Sequence, residues 1–188
     1  RGVIRGEPAR KEASFMTSTD ERFRPVNIAG GPDGCIYIVD LYRGVLQHRN
    51  YVTSFLRRQV KERELETPLG LGRIWRVKRT GQVGAGGPKL SDASWDVLAL
   101  TLNHPNGWWR DRAQRAFVEE GAEDSDAEAA LHAYVAKGPS PMGWVHALWS
   151  LDGLNSSKES EILAALAHSD ARVVHTGVRT AERHLKLG

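Results

Sequence analysis

The chain has 188 residues, 40% hydrophobic and 26% charged, with a formal net charge of +3. Those values suit one ordinary soluble domain or two small ones, and no apolar run approaches the ~20 residues that a membrane-spanning helix needs. The single cysteine, Cys35, excludes an internal disulfide and a Cys-x-x-Cys-His haem attachment site within these residues.

The modest net charge conceals an asymmetry. Residues 1–88 carry 16 Lys and Arg against 9 Asp and Glu, or +7, whereas residues 89–188 carry 10 against 14, or −4. A basic first half attracts an anionic cofactor or an acidic partner surface. Its cations are scattered without interleaved aromatics, which argues against nucleic-acid binding. The start, Arg-Gly-Val-Ile-Arg-Gly, has neither an initiator Met nor an apolar leader, so the chain is expected to be a fragment cut at both ends.

In chain order, residues 1–13 are polar and mixed in charge and read as a strand end and loop, and Ser14–Thr17 as a short outer strand. The stretch Arg22–Tyr42 carries the clearest signal. Gly31-Pro32-Asp33-Gly34 is a tight turn: proline presets one dihedral, Asp33 bonds its own backbone, and glycine accepts positive φ. Two strands are expected to meet there. After the turn, Cys35, Tyr37, Val39 and Leu41 alternate with Ile36, Ile38, Asp40 and Tyr42, both sets mostly apolar, which predicts a strand covered on both faces. Before it, Arg22 and Arg24 share one face of an extended segment, with Pro25 restricting that strand to an edge or to a start beyond it.

Next, Val52, Phe55, Leu56 and Val60 recur at helical spacing and predict a helix of about three turns within Tyr51–Glu66. Thr67-Pro68-Leu69-Gly70 ends it, and Arg73-Ile74-Trp75-Arg76-Val77 alternates as a strand. Gly81, Gly84, Gly86, Gly87 and Pro88 mark a linker. The domains are therefore drawn as 1–80, a linker at 81–88, and 89–188.

The second half reads as helical hairpins. One helix starts near Leu90-Ser91-Asp92, and another runs from Trp108 to Glu119 after the stop His104-Pro105-Asn106-Gly107. Ser125-Asp126-Ala127-Glu128 and Ser156-Ser157-Lys158-Glu159 match the capping-box pattern. Ala113, Ala147 and Gly177 are 34 and 30 residues apart, a repeat suited to stacked hairpins, and Val173, Gly177 and Ala181 give the last helix a narrow stripe.

Ser14–Val77, with Arg-Phe-Arg-Pro-Val, Gly-Pro-Asp-Gly, Asp-Leu-Tyr-Arg-Gly and Gly-Arg-Ile-Trp-Arg-Val, resembles the last part of the β-propeller in planctomycete and verrucomicrobial membrane-bound dehydrogenase-like proteins. Leu102–Asp111 resembles the first helical repeat of the same family. The resemblance implies an α+β chain: the C-terminal portion of a β-propeller of quinoprotein sugar dehydrogenase type, followed by a HEAT-like solenoid. It implies a periplasmic or secreted sugar or alcohol dehydrogenase using pyrroloquinoline quinone. Electrons would pass to a cytochrome c domain, with its haem, outside this chain.

On that resemblance, Arg22 and Arg24 flank Phe23 as the pair that holds the quinone carboxylates; fixed guanidinium forks suit a planar tricarboxylate. The alternative pairs them with Asp20 and Glu21. A second polar cluster is Asp40, Tyr42, Arg43 and His48, read either as ligands for a cation or sugar hydroxyl or as caps of the following turn. Trp95, Trp108, Trp109, Trp144 and Trp149 read as packing, with sugar stacking on Trp108 or Trp109 as the functional alternative. The histidines lack metal-ligand spacing, so no metal site is indicated. Two functions remain in view: the dehydrogenase fragment, or a non-catalytic scaffold binding carbohydrate or a partner protein.

Overall fold

The computed structural model describes residues 6–82 and 86–185. Residues 83–85 of the expected linker lie outside the described residues, as do 1–5 of the expected N-terminal loop. The chain divides into two compact units, residues 1–29 with 36–77, and residues 30–35 with 78–188.

In the first unit, strands β1 (Pro25–Gly30), β2 (Ile36–Asp40) and β3 (Arg73–Val77) form one sheet in the order β1-β2-β3. Strands β2 and β3 are antiparallel, with Ile36 opposite Val77, Ile38 opposite Trp75 and Asp40 opposite Arg73. Helix α1 (Ser54–Glu62) lies between β2 and β3 in sequence, capped by Thr53, whose hydroxyl accepts from the Leu56 N–H at 3.3 Å. It is shorter than the periodicity predicts because the chain leaves helical geometry after Arg63 and Glu64 takes φ +52°.

The expected C-terminal portion of a β-propeller is not seen. The first unit supplies one sheet of three strands among the described residues, and Ser14–Thr17 is not a strand. A propeller needs repeated four-stranded blades around a channel. Nor is β2 covered on both faces. Cys35, Ile38 and Asp40 are buried, but Val39 is 38% exposed, Leu41 41% and, across the ladder from Val39, Ile74 67%. Continuous apolarity records two apolar faces, and only one meets a covering layer here.

Among the described residues the second unit holds six α-helices: α2 (Trp95–Thr101), α3 (Gly107–Glu120), α4 (Ser125–Ala136), α5 (Pro141–Gly153), α6 (Glu159–Leu166) and α7 (Ala171–Ala181). Consecutive pairs α2/α3, α4/α5 and α6/α7 pack together, and the pairs stack through α2 on α4, α3 on α5 and α5 on α7. Polar caps start most of them. Asn106, Asp124, Ser140 and Asp170 accept from the N–H of Trp108, Asp126, Gly143 and Arg172. The α4 cap is thus Asp124, one residue before the predicted Ser125, and α2 begins after Ser94 rather than near Ser91.

Leu102, Phe117, Leu131, Leu148, Leu151 and Val173 are fully buried in the helical core. Each contributes about 1.5–3 kcal/mol of transfer free energy. Ala113 and Ala147 are also fully buried, where second helices of successive hairpins meet. A Cβ on Gly177 would sit 3.0 Å from the Ala165 Cβ and 3.3 Å from the Leu166 N, so glycine permits the close approach of α6 and α7. The α7 stripe differs from the expected one. Its buried residues are Val173, Thr176, Gly177 and Thr180, while Val178 is 51% exposed. The threonines enter the core because their hydroxyls donate along the helix, Thr176 to the Arg172 carbonyl and Thr180 to that of Thr176.

The turn at 30–35 belongs to this unit. Asn106 Nδ2 donates to the Gly31 and Pro32 carbonyls at 2.9 and 3.2 Å, and Trp109 Nε1 to Pro32 at 2.9 Å. Trp109 is therefore an anchor for a turn, with its indole N–H committed.

Candidate functional site

Asp40, the last residue of β2, is fully buried and organises the first unit. Its Oδ1 accepts from the backbone N–H of Arg24 at 2.8 Å and of Tyr42 at 2.9 Å. Its Oδ2 accepts from Arg73 Nε at 3.0 Å and Trp75 Nε1 at 3.1 Å. Burial pushes its pKa upward, but these four donors outweigh burial and hold it down to about 2. The carboxylate is ionised and saturated.

The partners arrive from three segments. Register places Arg73 opposite Asp40 on β3, and Trp75, two residues on, projects to the same face. The Arg73 guanidinium lies over the Tyr42 ring at 3.9 Å and the Trp75 ring at 4.9 Å, and pairs with Asp20 at 3.6 Å. Tyr42 takes φ +50°, a left-handed conformation uncommon for an aromatic residue, which its N–H bond to Asp40 helps to fix. The Arg22 N–H, then the Tyr42 hydroxyl, keep Asp20 below the usual carboxylate range.

Arg22 and Arg24 do not form a strand pair, because β1 begins at Pro25. Arg22 donates from Nε to the Thr67 carbonyl at 3.0 Å and from Nη2 to the Glu64 carbonyl at 2.9 Å. Arg24 donates from Nη2 to the Gly44 carbonyl at 3.2 Å. Gly44 is required there: a Cβ would fall 2.6 Å from the Leu65 carbonyl oxygen. Neither arginine takes the expected acids; Glu21 pairs with Arg63 and Asp20 with Arg73. Both guanidiniums thus spend part of their donor set on main-chain carbonyls of neighbouring loops.

Of the second predicted cluster, Asp40 and Tyr42 come together, but among the described residues no hydrogen bond or ion pair ties Arg43 or His48 to them. The exposed His48 accepts from the Asn50 N–H through Nδ1 at 3.3 Å, the loop-capping alternative. Arg73, Trp75 and Asp20 complete the Asp40 cluster. Local spacing carries no sign of Arg73 and Trp75 as its partners, since their meeting depends on ladder register.

Beside the cluster, a groove of about 530 Å³ runs between α1 and residues 44–47. Its apolar lining includes Val45, Leu46, Val52, Phe55, Leu56 and Val60, with Arg24 and Arg63 among its polar residues. No residue of α1 is buried, and Leu46, Phe55 and Leu56 are 57%, 61% and 45% exposed. The same helix carries Arg57, Arg58 and Lys61. An apolar groove beside a cationic helix is a binding surface in chemistry and shape.

The site thus defines a small basic sheet-and-helix module with a saturated carboxylate knot and an open groove. Residues 3–81, which span it, match the family model described as Domain of unknown function (DUF7133). No curated protein and no solved structure matches the chain. No described helix is long and apolar enough to cross a membrane.

Proposed function

We propose that the first unit is a protein-binding module whose α1 groove takes an acidic amphipathic segment of a partner polypeptide. One observation carries this reading: α1 leaves its whole apolar side unburied, with Phe55 and Leu56 in the groove and cations along the same helix. A partner helix laying an apolar face over Phe55 and Leu56, with carboxylates toward Arg24 and Arg63 in the groove lining, would satisfy both demands. The excess of basic residues in the first half would steer such a partner.

The quinone dehydrogenase reading finds less support, because two donors of Arg22 and one of Arg24 are engaged with main-chain carbonyls. Titration with pyrroloquinoline quinone tests it directly: saturable binding lost in R24A would favour that reading.

The docking proposal is tested by fluorescence anisotropy with an acidic amphipathic helical peptide and its scrambled isomer. The helical peptide is expected to bind, and Phe55→Asp to weaken it about tenfold or more, as for a central apolar anchor. Equal affinity for the scrambled peptide, or no effect of Phe55→Asp, overturns the proposal.

A further inference from the structure

The helical unit contains a three-residue relay unrelated to the groove. His132 on α4 holds the Glu161 carboxylate of α6 with Nδ1 to Oε1 at 2.6 Å, and its Nε2 lies 3.5 Å from the Ser156 hydroxyl. The other Glu161 oxygen accepts from the Lys158 N–H at 3.1 Å, which fixes the carboxylate. The side chains of His132 and Glu161 are only 16% and 11% exposed, so water screens the pair weakly. A carboxylate on Nδ1 selects the tautomer with its proton there and leaves Nε2 as an acceptor facing the serine. A serine, an imidazole base and an orienting carboxylate in that order define acyl-transfer chemistry, wherever they occur in a fold.

We propose that Ser156, His132 and Glu161 form an ester-hydrolysing site. A cleft of about 630 Å³ borders the His132 and Glu161 end of the relay, lined also by Val135, Ala136, Trp144 and Lys158, and Ser156 reaches it through His132 rather than lining it. The lining suits an ester with an apolar body. Ser156 Oγ bonds to the ester carbonyl carbon while its proton passes to His132 Nε2. Collapse of the adduct breaks the bond to the alcohol oxygen, which leaves with that proton. Water then attacks the acyl-serine, gives a proton to Nε2, and the departing Ser156 oxygen recovers it, so ester and water become acid and alcohol.

The neighbouring Ser157 is an internal control: its hydroxyl is buried and has no hydrogen-bond partner, hence no base. The test is labelling of the 188-residue chain with a fluorophosphonate, mapped by peptide mass spectrometry, beside hydrolysis of p-nitrophenyl acetate. The adduct is expected on Ser156. Ser156→Ala should abolish it, and His132→Gln should slow it by about a hundredfold or more at unchanged far-UV circular dichroism. No adduct, an adduct on Ser157, or unchanged labelling in His132→Gln overturns the proposal. The wild-type mapping decides even if His132→Gln fails to fold.

Discussion

At the scale of single residues, Asp40 shows how one carboxylate can hold a small unit together. Four donors from Arg24, Tyr42, Arg73 and Trp75 converge on it without exposure to solvent. Asp40→Asn keeps the volume but removes the charge that Arg73 faces and turns one oxygen into a donor. It is expected to destabilise the first unit by about 2–4 kcal/mol, read by chemical denaturation. The pH dependence has a definite sign. The folded pKa, about 2, lies below the unfolded value, so the ionised folded state gains stability that is present above about pH 4. That contribution, on the order of 2 kcal/mol, should fade as pH falls from about 4 towards 2 and vanish in Asp40→Asn. In the helical unit, Trp95 Nε1 donates to Asp124 Oδ2 at 2.8 Å, and that indole bond leads the causes keeping Asp124 below its ordinary range. Trp95→Phe should cost about 1 kcal/mol beyond any packing loss. Asp40 was visible in the sequence as a polar interruption of an apolar strand. Its partners Arg73 and Trp75, 33 and 35 residues away, were not, because only strand register brings them to one face.

At the scale of elements, the strands after the turn and at Arg73–Val77 are both found, since alternation and Gly-Pro-Asp-Gly are local signals. The first strand is displaced: Arg22 and Arg24 lie before it and serve loops. Helix starts were legible to within a residue for α3, expected from Trp108 and found from Gly107, and for α4, expected at Ser125 and capped by Asp124. Which face of α7 is buried was less so, because a threonine hydroxyl can bond within its own helix and enter a core, as Thr176 and Thr180 do. Gly177 tests the α6–α7 contact. Gly177→Ala gains helix propensity yet must displace Ala165 and the Leu166 backbone, so a net loss of about 1–3 kcal/mol is expected in thermal unfolding. Gly177→Ser should behave alike, and a stabilised variant would show that the approach is looser than drawn.

At the scale of the whole molecule, the two units differ in kind. The helical unit has a closed apolar core, whereas the sheet unit exposes Val26, Ile28, Phe55 and Ile74 by more than half. Asp40→Asn should therefore remove the signal of the sheet unit at lower denaturant than the helical signal, and far-UV circular dichroism should retain most of its helical intensity. If peptide docking follows the proposed electrostatics, its affinity should fall as salt rises from about 50 to 300 mM, and Arg63→Glu in the groove lining should flatten that dependence.

Local chemistry alone determined the charge asymmetry, the turn, the starts of α3 and α4 and the 30–34-residue spacing of Ala113, Ala147 and Gly177, because each is set by neighbours within a few residues or by a repeat. The tertiary structure decided what a list of residues cannot: that the described strands join in the order β1-β2-β3, that Asp40 is saturated, that Arg22 and Arg24 bind carbonyls, and that His132 meets Glu161 and Ser156. Those outcomes depend on which distant segments share a surface, and side-chain hydrogen bonds form only after the backbone has brought their donors and acceptors within about 3 Å.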